Sequence, residues 1–251
     1  MKTLDTQQLS FSFANGHKLL HEISFSIDQG KFVVLSGRNG SGKTILMRCL
    51  KGLLNPSSGT IFLDGQDLTK KPQQRNRLIG LVFQDADTQM VGQTVERDIL
   101  FGLENLRIEP KERTKRITHV TQLMGLLSVL HQRPRSLSGG ERRRLAIAGV
   151  LVMQPRILML DEPFANLDYS GIVQVLESLV ELKRQGVTIL VATHEIEKLL
   201  AHADSMILLD SGRIVLQDTP ERVLEVADEF GIRRPMYRGK PIPIGDLSWL
   251  K

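Results

Sequence analysis

The chain begins with two stretches in which apolar and polar side chains alternate. LSFSF and ISFSI, joined through Asn15-Gly16, have the period of two expected of antiparallel strands. KFVVLS is almost continuously apolar, which predicts a buried strand that leads into a glycine-rich loop and the helix TILMRCLKGLL. A hairpin-like segment, GTIFLDG, and a further strand, LIGLVFQ, complete this part of the chain.

The period of the pattern then changes twice. From Thr94 to about Met153 the apolar residues recur at helical spacing, and no strand is predicted. Strands and helices alternate after that: RILMLDE and VTILVATH are predicted strands, and IVQVLESLVELKRQ and EIEKLLAHA are predicted helices. A hairpin that turns at Ser211-Gly212 closes the sheet, and Thr219-Pro220 is expected to start a last helix as its N-cap and first residue.

This alternation predicts an α/β fold with a mostly parallel sheet covered on both faces. The N-terminal pattern adds an antiparallel β part, and the helical stretch adds an inserted lobe. We interpret residues 1–251 as a single domain. Its core comprises residues 1–86 and 156–230, its helical lobe residues 87–155, and its short basic C-terminal tail residues 231–251.

Composition narrows the class of protein. Apolar residues make up 41% of the chain and charged residues 24%, which is ordinary for a globular protein. Cys49 is the only cysteine, which excludes a disulfide framework and any zinc site with several cysteines, and fits a reducing compartment. The longest apolar run, Leu145–Met153, is too short to cross a bilayer, so we do not expect the chain itself to form a membrane channel.

The net charge of +5 is concentrated at one end of the chain. Four of the five net positive charges lie in the tail from Gly231 onward, and the remainder is nearly neutral. A basic tail is a weak indication of nucleic acid, so we expect none as a partner. Arg142–Arg144 could form a basic patch for nucleic acid, but we interpret these three residues as a solvated helix face.

The segment GRNGSGKT matches the pattern of a phosphate-binding loop between a strand and a helix. Its glycines allow the backbone N–H groups to converge on phosphate oxygens at the start of the helix. Lys43 should reach the β- and γ-phosphates of a nucleoside triphosphate, and Thr44 should hold Mg²⁺. The alternative is a plain glycine-rich turn. The predicted nucleotide-binding residues are Gly37, Arg38, Asn39, Gly40, Ser41, Gly42, Lys43 and Thr44.

Polar side chains follow three further apolar strands, and ligands bind at this carboxyl edge in open α/β sheets. Asp161 should bind Mg²⁺ through water, and Glu162 should polarise the attacking water. Gln84 is expected to sense Mg²⁺ and the water, and His194 the γ-phosphate. Taken alone, a polar residue after a strand is more often a cap or a surface residue, and only the phosphate loop favours the catalytic interpretation.

A second glycine pair occurs in LSGGE. Ser138 and Glu141 have the spacing of a capping box, so a well-capped helix is the simplest interpretation. Capping does not require Gly139 and Gly140, which cost helix stability. The segment has no lysine, no metal-binding hydroxyl partner and no acidic strand beside it. We interpret it as half of a phosphate site.

With these motifs in this order the chain resembles the ABC-type ATPases over nearly its whole length. The resemblance implies a P-loop NTPase fold of the RecA-like kind, with ATP and Mg²⁺ as ligands. It also implies that two such domains pair head to tail, so that the LSGGE segment of one closes over the ATP of the other. Asp168, in FANLD, would lie in the loop that faces the partner.

The resemblance further implies an N-terminal aromatic residue that stacks on adenine. Phe13 matches by position, where tyrosine is more usual, but Phe11 lies on the same strand face and either ring could simply pack in the core. The chain departs from the usual motifs at Glu141, where glutamine is common, and at Phe164 and Asn166, where small residues are typical.

VFQDADTQMVGQTVERDILFGLEN resembles more narrowly the energy-coupling-factor and cobalt-type importer ATPases, which drive uptake of vitamins or of cobalt and nickel. Gln89 and the run Phe101–Asn105 carry this likeness, whereas Ala86 replaces the usual proline. It implies a peripheral subunit on the cytoplasmic face of the membrane that works with a transmembrane subunit. The alternative is a soluble ABC ATPase without a membrane partner, for example in cluster assembly or repair. Pairing as a homodimer or a heterodimer stays open.

Overall fold

Two large β-sheets and seven α-helices make up the fold, which the computed structural model describes over residues 1–250. The strands are β1 (Lys2–Ser12), β2 (Lys18–Asp28), β3 (Phe32–Ser36), β4 (Ser58–Leu63), β5 (Gln66–Asp67), β6 (Ile79–Val82), β7 (Ile157–Asp161), β8 (Thr188–Ala192), β9 (Ser205–Asp210), β10 (Arg213–Asp218), β11 (Met236–Tyr237) and β12 (Lys240–Pro241). The helices are α1 (Lys43–Lys51), α2 (Pro72–Leu78), α3 (Val95–Asn105), α4 (Pro110–Leu123), α5 (Gly139–Leu151), α6 (Tyr169–Arg184) and α7 (Pro220–Val226).

The larger sheet has the strand order β10-β9-β3-β8-β7-β6. All its strands run parallel except the edge strand β10, which is antiparallel to β9. The four-stranded sheet, β2-β1-β4-β5, is antiparallel throughout. The predicted class, a mostly parallel α/β sheet with an antiparallel N-terminal part, is confirmed. Because parallel strands end at the same edge, the residues that follow β3, β6, β7 and β8 lie along one side of the molecule.

The parallel strands bury both of their faces, as their continuous apolar sequences predict. In β7, Ile157 and Met159 belong to the apolar cluster shared with the four-stranded sheet and α1, whereas Leu158 and Leu160 belong to the cluster shared with α3 to α7. Cys49 lies in the first cluster, where burial raises the pKa of its thiol to about 12. The two clusters hold the carboxyl ends of the strands rigidly in place.

Helices α3, α4 and α5 form the inserted lobe, and no strand occurs between Val82 and Ile157, a span described throughout. The side chain of Thr94 caps α3, and Asp98 in its first turn accepts hydrogen bonds from the backbone N–H groups of Val91 and Gly92, both at 2.7 Å. The lobe continues the apolar cluster that covers the sheet, so lobe and core share one interior.

The segment after β8 is not the α-helix that EIEKLLAHA predicts. Residues 196–198 and 200–202 form two separate 3₁₀ turns, and Leu199 between them has a φ of −117°, outside the helical range. The apolar side chains keep helical spacing and are buried, so their pattern was compatible with a helix. Lys198 in the first turn is buried, pairs locally with Glu195 at 2.6 Å, and lies 5.8 Å from the centroid of the Phe164 ring, a contact from a distant segment that the sequence pattern does not contain.

The other C-terminal predictions are confirmed with one exception. β9 and β10 form the hairpin around Ser211-Gly212, and α7 begins at Pro220. Thr219 occupies the N-cap position, but its side chain makes no capping hydrogen bond. Within residues 1–250, no helix has the length and apolar character needed to span a bilayer.

The C-terminal tail packs against the body of the protein. After the short hairpin of β11 and β12, a 3₁₀ turn at Ile244–Leu247 buries Leu247. The ring of Trp249 then stacks on Tyr169 with ring centroids 5.5 Å apart, and the Lys198 ammonium lies 5.7 Å from the centroid of the Trp249 ring. The tail is therefore a packed extension that reaches the start of α6.

Candidate active site

The loop between β3 and α1 approaches its surroundings closely at two glycines. A Cβ atom on Gly37 would lie 2.1 Å from the carbonyl oxygen of Leu209, and one on Gly42, whose φ is +107°, would lie 2.8 Å from Leu20 Cδ2. Only glycine fits this path, which leads the chain into the N-terminus of α1. The buried Ser41 hydroxyl has no hydrogen-bond partner among residues 1–250. The loop residues exposed to solvent are Arg38, Asn39 and Gly40.

Lys43 folds back over this loop. Its Nζ donates to the carbonyl oxygens of Gly37 at 2.7 Å and Arg38 at 3.2 Å, and the side chain is buried. Burial lowers the pKa of Lys43, and the nearby carboxylates of Glu162 and Asp161 oppose that shift. In residues 1–250 no carboxylate pairs directly with this ammonium, so its position and charge suit a phosphate held in the glycine loop.

Thr44 and Asp161 meet where α1 starts and β7 ends. Thr44 Oγ1 donates to a carboxylate oxygen of Asp161 at 2.8 Å. Burial raises the pKa of Asp161 despite this hydrogen bond, and the neighbouring charge of Glu162 raises it further. A hydroxyl and a carboxylate are the hard oxygen ligands that Mg²⁺ prefers, so this pair fits a magnesium ion beside the glycine loop.

Glu162 follows β7 with a φ of +46°, in the left-handed region. Both of its carboxylate oxygens are held by the segment after β8. Thr193 Oγ1 donates to Oε2 at 2.8 Å, while the backbone N–H and Nδ1 of His194 lie 3.2 Å and 2.8 Å from Oε1. The structure thus joins two of the predicted catalytic residues directly, and adds Thr193 as their support.

Gln84 follows β6, which pairs with β7, but its side chain is not hydrogen-bonded to this cluster. It is exposed, and within residues 1–250 it is the Gln84 backbone carbonyl, not its side chain, that a side-chain donor binds. It lines a groove together with Gly139 and Asn166. The structure therefore does not join Gln84 to Thr44 and Asp161 by hydrogen bonds. Another glutamine, Gln89, anchors the strand end that precedes Gln84.

Gln89 binds the backbone at the end of β6 with both atoms of its carboxamide. Its Oε1 accepts from the N–H of Phe83 at 2.7 Å, and its Nε2 donates to the carbonyl of Leu81 at 3.1 Å. The side chain fastens the segment after β6 to the end of that strand, so this second glutamine has a structural role. In the sequence, Gln89 was marked only by its part in the likeness to the energy-coupling-factor ATPases, which gave no indication of this contact.

The LSGGE segment forms the predicted capping box at the start of α5. The Ser138 N–H donates to Glu141 Oε2 at 2.8 Å, and the Glu141 N–H donates to Ser138 Oγ at 3.2 Å. These contacts also lower the pKa of Glu141, chiefly through the hydrogen bond from the Ser138 backbone. The capping interpretation is therefore correct. Whether the segment also forms half of a phosphate site has to be judged from its two glycines.

The two glycines of this segment differ in their surroundings. A Cβ on Gly140 would lie 3.0 Å from Gly171 Cα, so close packing of α5 on α6 accounts for this glycine. A Cβ on Gly139 would lie 3.3 Å from Leu167 Cδ2, the end of a flexible side chain. Packing explains Gly139 less well. Its lack of a side chain is therefore better explained by a ligand that approaches the backbone there.

Asp168 caps α6. Its Oδ1 accepts from the Gly171 N–H at 2.8 Å and from the Ser170 hydroxyl at 3.1 Å. The loop before it contains Asn166 with a φ of +61°. Ser138–Glu141 and residues 166–171 line a common pocket, so the two predicted partner-facing segments are neighbours.

Phe11 and Phe13 have different environments. Phe11 is buried in the core, whereas Phe13 lies just past the end of β1 and is 41% exposed. The Phe13 ring stacks on His17 with centroids 6.3 Å apart and meets Phe11 edge-on at 5.2 Å. Core packing therefore accounts for Phe11, and Phe13 alone is available to an adenine ring.

The interpretation of Arg142–Arg144 as a solvated helix face is wrong for two of the three residues. Arg143 and Arg144 are buried, and only Arg142 reaches solvent, where it pairs with Asp87 at 3.0 Å. Arg144 Nε donates to the carbonyl of Met124 at 2.8 Å. Charge alone suggested exposure. Backbone carbonyls that face α5 supply partners that no sequence pattern reveals.

A glycine-rich loop at a helix N-terminus, with a lysine and a hydroxyl-carboxylate pair at the edge of a mostly parallel sheet, defines a P-loop nucleoside triphosphatase. Comparison with known proteins agrees with this assignment. The family model described as ABC transporter matches residues 20–165. The energy-coupling factor transporter ATP-binding protein EcfA of Methanosarcina acetivorans is 40% identical over 87% of this chain and 80% of its own length. EcfA1 of Latilactobacillus sakei is 39% identical over 88% and 80%.

Solved structures agree as well. CbiO1 from Clostridium perfringens, described as part of the ABC transporter complex cbiONQ, has a TM-score of 0.84 and 34% identity, covering 91% of this chain and 92% of its own. A nucleotide-free ATP-binding cassette from an ABC transporter, at 22% identity and a TM-score of 0.82, shares the fold. The chain belongs to the ABC transporter ATP-binding proteins, in the group of the energy-coupling factor ATP-binding proteins. It is an ATPase whose cofactor is Mg²⁺.

Proposed function

We propose that the chain is the peripheral, ATP-hydrolysing subunit of an importer of the energy-coupling factor type, bound to the cytoplasmic face of the membrane. The observation that carries this proposal is the likeness to EcfA proteins, which extends over at least four-fifths of their length. The cargo would be a vitamin or a cobalt or nickel ion. Its selection belongs to another chain.

Each part of the site has one task in this proposal. The glycine loop and Lys43 bind the phosphates, and Phe13 stacks on the base. Mg²⁺, when bound, would supply positive charge that offsets the negative charge of the phosphates. Glu162 accepts a proton from the attacking water while Thr193 and the Nδ1 of His194 keep its carboxylate in place. His194 is also the residue that senses the γ-phosphate. The residues proposed to hold Mg²⁺ are Thr44, Gln84 and Asp161.

The LSGGE segment serves the nucleotide of a second ATPase subunit. Within residues 1–250 no hydrogen bond joins Ser138–Glu141 to the phosphate loop at 37–44, and the segment instead lies against residues 166–171. Head-to-tail pairing brings it onto the partner's ATP, so each nucleotide becomes part of the interface and stabilises the pair. The second subunit is either another copy of this chain or a related ATPase.

The transmembrane subunit binds the start of the helical lobe. Val91 and Phe101 are apolar yet 60% and 48% exposed there. Asp98 ties the backbone at Val91 to the start of α3, which orders this turn. An ordered patch of exposed apolar side chains suits a short helix from a membrane protein.

Purification from mildly solubilised membranes of the native host tests the proposal. We expect a polytopic membrane protein to accompany the tagged chain. Phe101→Asp should abolish that association. Leu127→Asp, on an equally exposed lobe residue (50%), should keep it. Recovery of soluble proteins alone would overturn the importer role and favour a soluble ABC ATPase, such as a cluster-assembly factor. The ATPase activity would stand in either case.

A further inference from the structure

Arg143, in the second turn of α5, is buried among the carbonyl groups of other segments. It is 4% exposed. Its guanidinium donates to the carbonyl oxygens of Phe83 at 2.9 Å and of Gln84 at 2.7 Å, and reaches that of Ala165 at 3.5 Å. One side chain of the helix that carries LSGGE thus spans the turn after β6 and the loop after Glu162.

Arg143 holds this place without a carboxylate partner. The nearest acidic residues, Asp85 and Asp87, are exposed, and Asp87 pairs with Arg142 instead. Burial of a charge without an ion pair is costly, and the Nε of Arg143 has no partner at all within residues 1–250. An apolar side chain would avoid that cost but would leave the carbonyls of Phe83 and Gln84 without these donors. The planar fork of donors, which binds adjacent carbonyls together, is what arginine adds.

The backbone at Gln84 is held from two sides. Gln89 binds the N–H of Phe83, and Arg143 binds the carbonyls of Phe83 and Gln84. Among the described residues the side-chain hydrogen bond made at Gln84 goes to its backbone carbonyl, and its own side chain is exposed. Its location is therefore set by its backbone, and through Arg143 by α5.

We propose that Arg143 is a positioning residue for Gln84, which it ties to the helix that carries the LSGGE segment. This rests on the proposed role of Gln84 at Mg²⁺. A displacement of α5 when Ser138–Glu141 meets the partner's ATP moves the backbone of Gln84 with it. The same contact carries the effect in the opposite direction, because coupling between two binding sites is reciprocal.

A double-mutant cycle tests this link. Gln84→Ala, Arg143→Gln and their combination are compared by kcat and by the Mg²⁺ concentration that gives half-maximal hydrolysis. We expect Arg143→Gln to lower kcat and raise the Mg²⁺ requirement on the order of tenfold, as for residues that orient a ligand. The combination should match Gln84→Ala alone to within about twofold, because Arg143 acts through Gln84.

Arg144→Gln is the matched control. Arg144 is buried on the same helix, but it binds Met124 and Gln174 rather than the turn at Gln84. Any fold-loss in kcat caused by Arg144→Gln should multiply with the fold-loss caused by Gln84→Ala in the double variant, because the two residues share no contact. It should leave the Mg²⁺ requirement unchanged, which a merely destabilising substitution also does.

Three outcomes would overturn the inference. The first is a double variant in which the fold-losses from Arg143→Gln and Gln84→Ala multiply. That result would separate Arg143 from Gln84 but leave the proposed role of Gln84 unchanged. The second is an Arg143→Gln variant with wild-type constants. The third is a Gln84→Ala variant with unchanged constants, in which case the proposed metal role of Gln84 fails as well. If Arg143→Gln does not fold, as shown by thermal unfolding, Arg143→Lys takes its place in the cycle, because lysine retains donors but not the fork.

Discussion

The Nδ1 of His194 lies 2.8 Å from a carboxylate oxygen of Glu162, and the hydroxyl of Thr193 binds the other oxygen at the same distance. The two residues after β8 thus fix both oxygens of a carboxylate that follows β7. The contact is possible because β7 and β8 are parallel neighbours and end at the same sheet edge. Residues 31 positions apart become one unit, and the proposed general base has a defined orientation.

Substitution of the proposed general base tests this unit first. We expect Glu162→Gln to keep ATP binding and to lose on the order of 10²–10⁴ in turnover, because glutamine fills the same space but cannot accept the proton. Steady-state hydrolysis and equilibrium binding of ATP measure the two properties. Unchanged turnover would remove Glu162 from this role. Lys43→Ala is the opposite control, in which nucleotide binding itself should be lost.

The hydroxyl of Thr193 should matter for turnover and not for ATP binding. Thr193→Val keeps the shape of the side chain but removes the hydrogen bond to Glu162. We expect kcat to fall about tenfold with KM for ATP unchanged, because a hydrogen bond to a charged group contributes about 1.5–3 kcal/mol. Thr193→Ser restores the hydroxyl and should restore kcat. A serine variant as slow as the valine variant would show that packing, not the hydrogen bond, is responsible.

A charge at Gly139 should separate ATP binding from pairing. Gly139→Asp places a carboxylate where the partner's phosphates are proposed to lie, whereas Gly139→Ala adds only a methyl group beside the flexible Leu167 side chain. In a Glu162→Gln background, we expect the aspartate variant to bind ATP as a monomer and the alanine variant to dimerise with ATP. Size-exclusion chromatography with and without ATP measures this. Dimerisation of the aspartate variant would refute the two-chain site.

Trp249 is the only tryptophan, so its fluorescence reports on one place in the molecule. Its ring stacks on Tyr169, which directly follows Asp168 in the loop proposed to face the partner. We expect ATP with Mg²⁺ to change the emission of the Glu162→Gln variant as that loop enters the interface. The same variant carrying Gly139→Asp should show no change. Identical spectra with and without ATP in the pairing-competent variant would contradict the proposed position of the loop.

Motifs that depend on a few consecutive residues could be predicted from the sequence alone. The phosphate loop, the capping box of Ser138 and Glu141 and the hairpin at Ser211-Gly212 depend on a few consecutive residues, so their local patterns suffice to predict them. The parallel sheet was predictable as well, because strands buried on both faces are continuously apolar. The order of these motifs also identified the family.

Packing between distant segments decided the rest. Phe11 and Phe13 have the same side chain, and only the end of β1 makes one buried and the other exposed. EIEKLLAHA has a helical pattern, yet it forms two 3₁₀ turns. The sequence pattern placed Arg143 on a solvated helix face, but in the structure its guanidinium binds backbone carbonyls after β6. Sequence determined which residues are chemically able to act, because that depends on each side chain and its neighbours in the chain. Tertiary structure decided which of them meet, because carbonyls, cavities and partners come from segments that the local pattern does not contain.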